Sequence, residues 1–229
     1  MPFTYVLIPG AGGSAWYWHR VAPLLSAHGH DVIAVGLPAD DDSADLDTYA
    51  DTVCNAVSGA SAPLALVAQS MAAFTAPMVA ERVPTAEITL VNPMVPTAGE
   101  APGQWWAATG QGRARAEYFR RIGLDRTDFD PIDDFFHDVP EAVRQVAFGQ
   151  PEPRQSDTPF GQPWPLQRWP DVPTRVVAGS DDRLFPLEFQ RRVVRDRLGL
   201  DVEVIPGGHL VALSQPEVLA DRILTSTLR

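Results

Sequence analysis

Ser70, Asp182 and His209 are the side chains of this sequence whose types and order could support nucleophilic catalysis. A serine hydroxyl is a weak nucleophile at its own pKa, so it needs an imidazole as base and a carboxylate that orients the imidazole. Each of these residues follows a short apolar run that is typical of a β-strand. Because parallel strands end at one edge of a sheet, we expect the three side chains to converge there.

Ser70 lies between an apolar segment ending at Gln69 and an alanine-rich stretch that is typical of a helix. Serine is exposed for attack at such a turn in enzymes with the pattern Gly-x-Ser-x-Gly. Here Ala68 and Ala72 occupy the two glycine positions. The segment alone leaves two interpretations open, a nucleophile or the N-cap of a helix that begins at Met71.

Asp182 and His209 each follow a predicted strand. Asp182 comes three residues after Gly179 and shortly before Pro186, which is suited to open a helix. Asp181 is the neighbouring rival, and the spacing from Gly179 favours Asp182. His209 follows two glycines in a flexible turn. We interpret the remaining histidines as structural: His19, His28, His30 and His137.

A glycine-rich turn, residues 10–13, follows the first predicted strand. Such a turn lets backbone amides face a cavity, where they stabilise the oxyanion that develops during acyl transfer. We predict the N–H groups of Ala11 and Met71 as these donors. A phosphate-binding loop is the alternative, but no lysine follows and the glycines lack the G-x-G-x-x-G spacing.

The net charge and the residue composition exclude several kinds of partner and active site. The 229 residues carry a formal net charge of −11, so the field of the protein repels nucleic acid and anionic membranes. All 18 cationic residues are arginine, which excludes a Schiff-base lysine, and the single cysteine, Cys54, excludes a multi-cysteine metal site. No stretch approaches the ~18 apolar residues of a membrane span, and no signal peptide is visible. We expect a cytoplasmic protein with a small-molecule substrate and no bound metal.

Short runs of branched apolar residues alternate with longer helical stretches, which predicts a mostly parallel, doubly wound α/β sheet. The predicted strands are residues 3–9, 31–36, 63–68, 87–92, 174–179 and 201–205. The predicted helices are residues 16–28, 44–58, 71–82, 186–198 and 215–227. The alternation fails over residues 93–173, which are rich in aromatic side chains, unlike disordered segments. We predict a core of residues 1–92 and 174–229, with residues 93–173 inserted as a cap.

With glycine turn, serine elbow, cap, aspartate and histidine in this order, the whole chain resembles the α/β-hydrolase fold. Residues 6–18, 186–191 and 209–216 resemble its methylesterase and hydroxynitrile-lyase branch, including bacterial esterases. The resemblance implies Ser70 as nucleophile, His209 as base and Asp182 as orienting acid. It also implies the amides of Ala11 and Met71 as the oxyanion hole, with the cap as the roof of the pocket.

Two positions separate hydrolysis from cyanide elimination within this branch. The lyases that the chain resembles carry threonine where Gly10 stands and lysine where Leu210 stands. Without a cation beside His209, a departing cyanide would lose its electrostatic stabilisation. We therefore predict a serine-dependent hydrolase that cleaves carboxylic esters of small, hydrophobic substrates, through an acyl-enzyme and without a cofactor. The predicted pocket residues are Gly10, Trp105, Trp106, Phe136 and Leu210.

Two other functions stay open at this point. The same triad could act on a thioester, an amide or a carbon–carbon bond in a biosynthetic pathway. The fold could also serve a non-catalytic ligand-binding protein, although the presence of all three triad residues argues against it. A homodimer is left open as well.

Overall fold

A parallel sheet organises the computed structural model, which describes residues 2–124, 126 and 128–225. Within these residues the sheet has six strands in the order β2-β1-β3-β4-β5-β6. The strands are β1 (Thr4–Ile8), β2 (Asp31–Ala34), β3 (Leu64–Gln69), β4 (Thr85–Val91), β5 (Thr174–Gly179) and β6 (Val202–Ile205). All neighbouring strands are parallel, so the predicted α/β sheet is confirmed.

Helices cover both faces of this sheet. They are α1 (Ala22–Ala27), α2 (Leu46–Ala56), α3 (Ala72–Ala80), α4 (Pro102–Thr109), α5 (Gln111–Arg121), α6 (Pro131–Phe135), α7 (Glu141–Phe148), α8 (Thr158–Gly161), α9 (Leu187–Leu198), α10 (Val211–Ser214) and α11 (Pro216–Leu224). On one face α2, α3 and α9 bury an apolar cluster, and on the other α1, α10 and α11 bury a second. Burial on both faces explains why β3 is a continuous run of buried residues rather than an alternating one.

The strand order places a topological switch point between β1 and β3. From β1 the chain passes to β2 on one side, and it then returns to β3 on the other side. Open α/β sheets bind ligands at the carboxyl ends of strands that diverge in this way. The register pairs Ile8 with Ala68, so the turn after β1 lies beside the turn that carries Ser70.

The predicted helix over residues 16–28 is wrong as a single element. The chain forms a 3₁₀ turn at Ala15–Trp18 and then starts α1 at Ala22. Pro23 explains the break, because proline lacks an N–H group and fits best in the first turn of a helix, where it stands in α1. The other predicted helices are present with shorter ends, although residues 226 and 227 of the last one lie outside the described residues.

Between β4 and β5 the described residues include α4 to α8, within the predicted cap. Two of its tryptophans reach the core, where the Nε1 group of Trp105 donates to the carbonyl of Val95 and that of Trp164 donates to the carbonyl of Phe74. The described residues between β4 and β5, called the insertion below after the prediction, are therefore packed onto the sheet and its helices. No helix in the described residues is long and apolar enough to cross a bilayer.

Candidate functional site

Ser70 occupies the turn between β3 and α3 with a φ of 53°. This left-handed conformation costs a non-glycine residue roughly 1–2 kcal/mol, so the surroundings must hold it. Its N–H donates to the carbonyl of Val91, and its own carbonyl accepts from the N–H of Met94, both at 3.0 Å. The elbow therefore forms with alanine at positions 68 and 72.

The side chains of Ser70, His209 and Asp182 are joined by two successive contacts. The Oγ atom of Ser70 is 3.1 Å from Nε2 of His209, and Nδ1 of the same ring is 2.9 Å from Oδ2 of Asp182. When Nδ1–H donates to the carboxylate, Nε2 is left as an acceptor for the serine hydroxyl. The N-cap position of α3 belongs to Met71, and the Ser70 side chain faces the imidazole.

The Asp182 carboxylate is completely buried and is held by neighbours on both oxygens. Its Oδ1 accepts the N–H groups of Leu184 and Phe185 at 2.8 Å each. The Nε2 group of Gln190, from α9, lies 3.3 Å from Oδ2, the oxygen that faces the imidazole. The rival carboxylate, Asp181, is exposed and accepts a hydrogen bond from the adjacent serine hydroxyl.

Asn92 is a buried polar residue of this site that sequence reasoning missed. It follows β4 with a φ of 45° and is fully buried. Its Nδ2 group donates to the carbonyls of Gly208 and His209 at 3.0 Å each, and its Oδ1 accepts the N–H of Gly179 at 2.8 Å. The side chain thus links the end of β5 to the loop that carries His209.

Gly10 brings the turn after β1 against the serine elbow. Its N–H donates to Oε1 of Gln69 at 3.1 Å, and Nε2 of Gln69 lies 3.4 Å from the carbonyl of His209. A Cβ atom at position 10 would lie 2.4 Å from Oε1 of Gln69 and 3.0 Å from Cβ of Ser70. Only glycine permits this approach.

The two predicted oxyanion donors, the N–H groups of Ala11 and Met71, directly follow Gly10 and Ser70 in the chain. Ala11 is exposed in the glycine turn, and Met71 is the N-cap of α3, at the positive end of the helix. Within the described part of the chain, no hydrogen bond occupies the backbone N–H of Ala11 or of Met71. Neither amide is therefore committed to an acceptor among these residues.

Two aromatic rings lie against the imidazole of His209. The ring of Phe185 lies 4.9 Å from that of His209, and the ring of Phe135 lies 5.4 Å from it. Trp106 is half-buried and packs on Phe185 at 5.6 Å. Trp105 is fully buried beside Phe185, so in this structure it packs the core beneath the site.

The ring that lies against the imidazole is that of Phe135, which precedes the predicted pocket residue Phe136. Phe136 points to the other side and packs on Phe148 at 5.1 Å. Leu210 is half-buried at the start of α10 and packs, like Phe136, against the apolar cluster on the α11 face of the sheet. Two consecutive phenylalanines give no sequence signal for which ring faces the site.

The insertion also contacts the two loops that carry Asp182 and His209. The Nε2 group of His137 donates to the carbonyl of Asp181 at 2.9 Å, and Oδ2 of Asp138 accepts the N–H of Gly208 at 2.6 Å. Burial holds the pKa of His137 below its usual value, and the nearby Arg183 lowers it further. Among the described residues no group of three or more His, Cys, Asp and Glu side chains is arranged to hold a metal ion.

Comparisons with known proteins identify the family and the fold of the chain. The model of the alpha/beta hydrolase family matches residues 5–222. The chain is similar in structure to a pyrethroid hydrolase from Sphingobium faniae JZ-2, with 21% identity, a TM-score of 0.78, and coverage of 98% of this chain and 96% of that one. It is also similar to polyneuridine aldehyde esterase (18%, TM-score 0.76, 98% of each chain) and to a methylesterase from Arabidopsis (16%, TM-score 0.72, 97% of each chain). The comparison with curated proteins found no match.

Proposed function

The chain belongs to the alpha/beta hydrolase family, and on that premise we propose that it hydrolyses carboxylic esters through an acyl-enzyme on Ser70. The observation that carries the proposal is the pair of contacts from Ser70 to His209 and from His209 to Asp182. The three similar structures are named as a hydrolase, an esterase and a methylesterase, which favours an ester as the bond that is cleaved.

The mechanism uses the same groups in both halves of the reaction. Nε2 of His209 takes the hydroxyl proton of Ser70 while Oγ attacks the ester carbonyl, and Asp182 stabilises the imidazolium. The N–H groups of Ala11 and Met71 receive the oxyanion. The intermediate expels the alcohol, which takes the proton from His209 and leaves an acyl group on Ser70. A water then attacks the acyl carbonyl while it gives a proton to His209. The bond to Oγ breaks, Ser70 takes the proton back from His209, and the carboxylic acid leaves.

Small, hydrophobic esters are the substrates that suit the surroundings of the base. The rings of Phe135 and Phe185 contact the His209 imidazole, and apolar walls with few polar groups are typical of small-molecule pockets. Leu210 places an apolar residue where cyanide elimination would need a cation, which favours hydrolysis. The proposed reaction requires no cofactor.

The test is hydrolysis of p-nitrophenyl acetate and butyrate by the wild-type protein and by Ser70→Ala. We expect kcat/KM to fall by about 10³-fold or more, because the variant has no serine nucleophile. The backbone amides that remain can stabilise an oxyanion but cannot form the acyl-enzyme. Ser58→Ala, at an exposed position, is the matched control and should behave as wild type. Equal rates for Ser70→Ala and wild type would exclude the serine mechanism.

A further inference from the structure

A segment of the insertion, residues 151–158, crosses over the glycine turn and is called the strap below. Oε1 of Gln155 accepts the N–H of Gly12 at 2.9 Å, across 143 residues of sequence. A Cβ atom at Gly12 would lie 2.9 Å from Cβ of Pro153, so the strap and the turn are in close contact. The proposed oxyanion turn is thus bounded by the sheet on one side and by the strap on the other.

The orientation of the Gln155 amide follows from its other contacts. Its Nε2 group lies 2.9 Å from the carbonyl of Ser156, which can only accept, and 3.1 Å from the hydroxyl of Tyr49. The nitrogen must therefore face these two oxygens, and the oxygen must face Gly12. The amide of Gln155 is fixed as an acceptor for the turn.

Hydrogen bonds occupy three of the four N–H groups of the turn. Gly10 donates to Gln69, Gly12 donates to Gln155, and Gly13 donates back to the carbonyl of Gly10. Within the described residues the N–H of Ala11 is the member of this turn that is left without an acceptor. Two glutamine oxygens therefore hold the amides on both sides of the proposed donor.

We propose that Gln155 is a positioning residue that orders the turn so that the Ala11 amide points at the developing oxyanion. This inference rests on the proposed function. Donors that are already ordered need no reorganisation when the oxyanion forms, so they stabilise the transition state more than the bound substrate. Loss of the Gln155 acceptor should therefore lower kcat and leave KM nearly unchanged.

The strap is also anchored away from the turn, and this provides a matched control. Arg154 makes two contacts with the Asp42 carboxylate, at 2.6 and 2.7 Å, and the N–H of Ser156 donates to the carbonyl of Ala39. Arg154→Met removes an anchor of the strap without touching the turn. Gln155→Met removes the acceptor at nearly constant side-chain volume.

The experiment compares wild type, Gln155→Met and Arg154→Met by three measurements. Steady-state hydrolysis of p-nitrophenyl butyrate gives kcat and KM. Inhibition is measured with a trifluoromethyl ketone, which forms an anionic tetrahedral adduct on serine, and with butyrate, which does not. For Gln155→Met we expect kcat and ketone affinity to fall by about tenfold, with KM and butyrate inhibition unchanged. Hydrogen exchange of residues 9–14, measured without substrate, should become faster in the same variant.

Three results would overturn the proposal. The first is that Gln155→Met has the same hydrogen exchange in residues 9–14 and the same kcat as the wild type. The second is that Arg154→Met loses as much kcat and ketone affinity as Gln155→Met, which would assign the effect to the strap as a whole. If Gln155→Met does not fold, Tyr49→Phe, which removes the hydroxyl that contacts Nε2 of Gln155, should show a smaller change in the same direction, and its absence would also overturn the proposal. A wild-type protein without Ser70-dependent hydrolysis would refute the proposed function, while the exchange data would still report whether Gln155 holds the turn.

Discussion

The side-chain amide of Asn92 donates a hydrogen bond of 3.0 Å to the carbonyl oxygen of His209, so the end of β4 holds the backbone of the base. The same side chain contacts Gly208 and Gly179, which belong to the two strand-end regions that carry the imidazole and the carboxylate. One fully buried asparagine in a left-handed conformation therefore links these two loops to the end of β4.

Asn92→Gly should separate these hydrogen bonds from backbone strain, because glycine adopts a φ of 45° without cost. The substitution leaves buried backbone groups unpaired, so we expect the free energy of unfolding to fall by about 3 kcal/mol. Displacement of the imidazole should lower kcat by roughly tenfold. Urea denaturation and ester hydrolysis measure both effects. Asn55→Gly, at an exposed position of α2, should cost about 1 kcal/mol or less and leave kcat unchanged.

Asp182→Asn and Asp181→Asn form a matched pair that tests which carboxylate orients the base. An amide at position 182 can donate to the imidazole and favours the wrong tautomer, a change that costs about 10⁴-fold in kcat in serine proteases with this triad. We expect a loss of that order for Asp182→Asn, and a kcat close to wild type for Asp181→Asn. The opposite result in p-nitrophenyl ester hydrolysis would transfer the role to Asp181.

The strands and the order of the chemical groups were predictable because both are local signals. Apolar runs identify β1, β3, β4, β5 and β6, and parallel strands bring their carboxyl ends together. Ser70, Asp182 and His209 each follow such a run, so their proximity follows from topology once the strands are known. Asn92 also follows a run, but asparagine is a common turn residue and its type alone indicates no role in the site.

The contacts of the insertion were not predictable from the sequence. Gln155 reaches Gly12 across 143 residues, and no periodic pattern relates the two positions. The choice between Phe135 and Phe136 depends on how α6 sits over the sheet, which local propensity does not determine. Residues 93–173 lack the strand and helix alternation that fixes the remainder, so their packing follows from tertiary contacts alone.

Gly10→Ala tests the close approach of the glycine turn to the elbow. The new Cβ atom would lie 2.4 Å from Oε1 of Gln69, so the turn or the glutamine has to move. A displacement of about 1 Å near reacting groups can cost about 10²-fold, and we expect kcat to fall by that order. Gly36→Ala is the control, because no atom lies within 4 Å of a Cβ at that position. Unchanged kcat in Gly10→Ala would show that the contact does not position the site.

Phe135→Ala should weaken substrate binding, because this ring lies against the imidazole. Loss of about 1.5 kcal/mol of apolar contact corresponds to an increase in KM for p-nitrophenyl butyrate of roughly tenfold. Phe136→Ala is the matched variant. It removes packing against Phe148 and should lower the midpoint of urea denaturation without changing KM. A KM that changes only in Phe136→Ala would show that Phe136 lines the pocket.

His137 should make the stability of the protein depend on pH. Burial lowers its pKa below the usual 6.5, and the positive charge of Arg183 adds to this, while the carboxylates of Asp138, Asp133 and Asp182 act in the opposite direction without reversing the shift. The unfolded chain therefore binds a proton more readily than the folded one. It follows that the free energy of unfolding decreases as the pH falls below about 6.5.

His137→Gln removes this titration while it keeps a donor for the carbonyl of Asp181. Urea denaturation gives the free energy of unfolding at about pH 7.5 and at about pH 5.5. Between these values it should fall more for the wild type than for His137→Gln, because only the wild type must bury an imidazolium or release its proton. His19→Gln, at an exposed histidine, is the control and should follow the wild type. Parallel losses in wild type and His137→Gln would show that protonation of His137 does not oppose the contact between the insertion and the loop of Asp182.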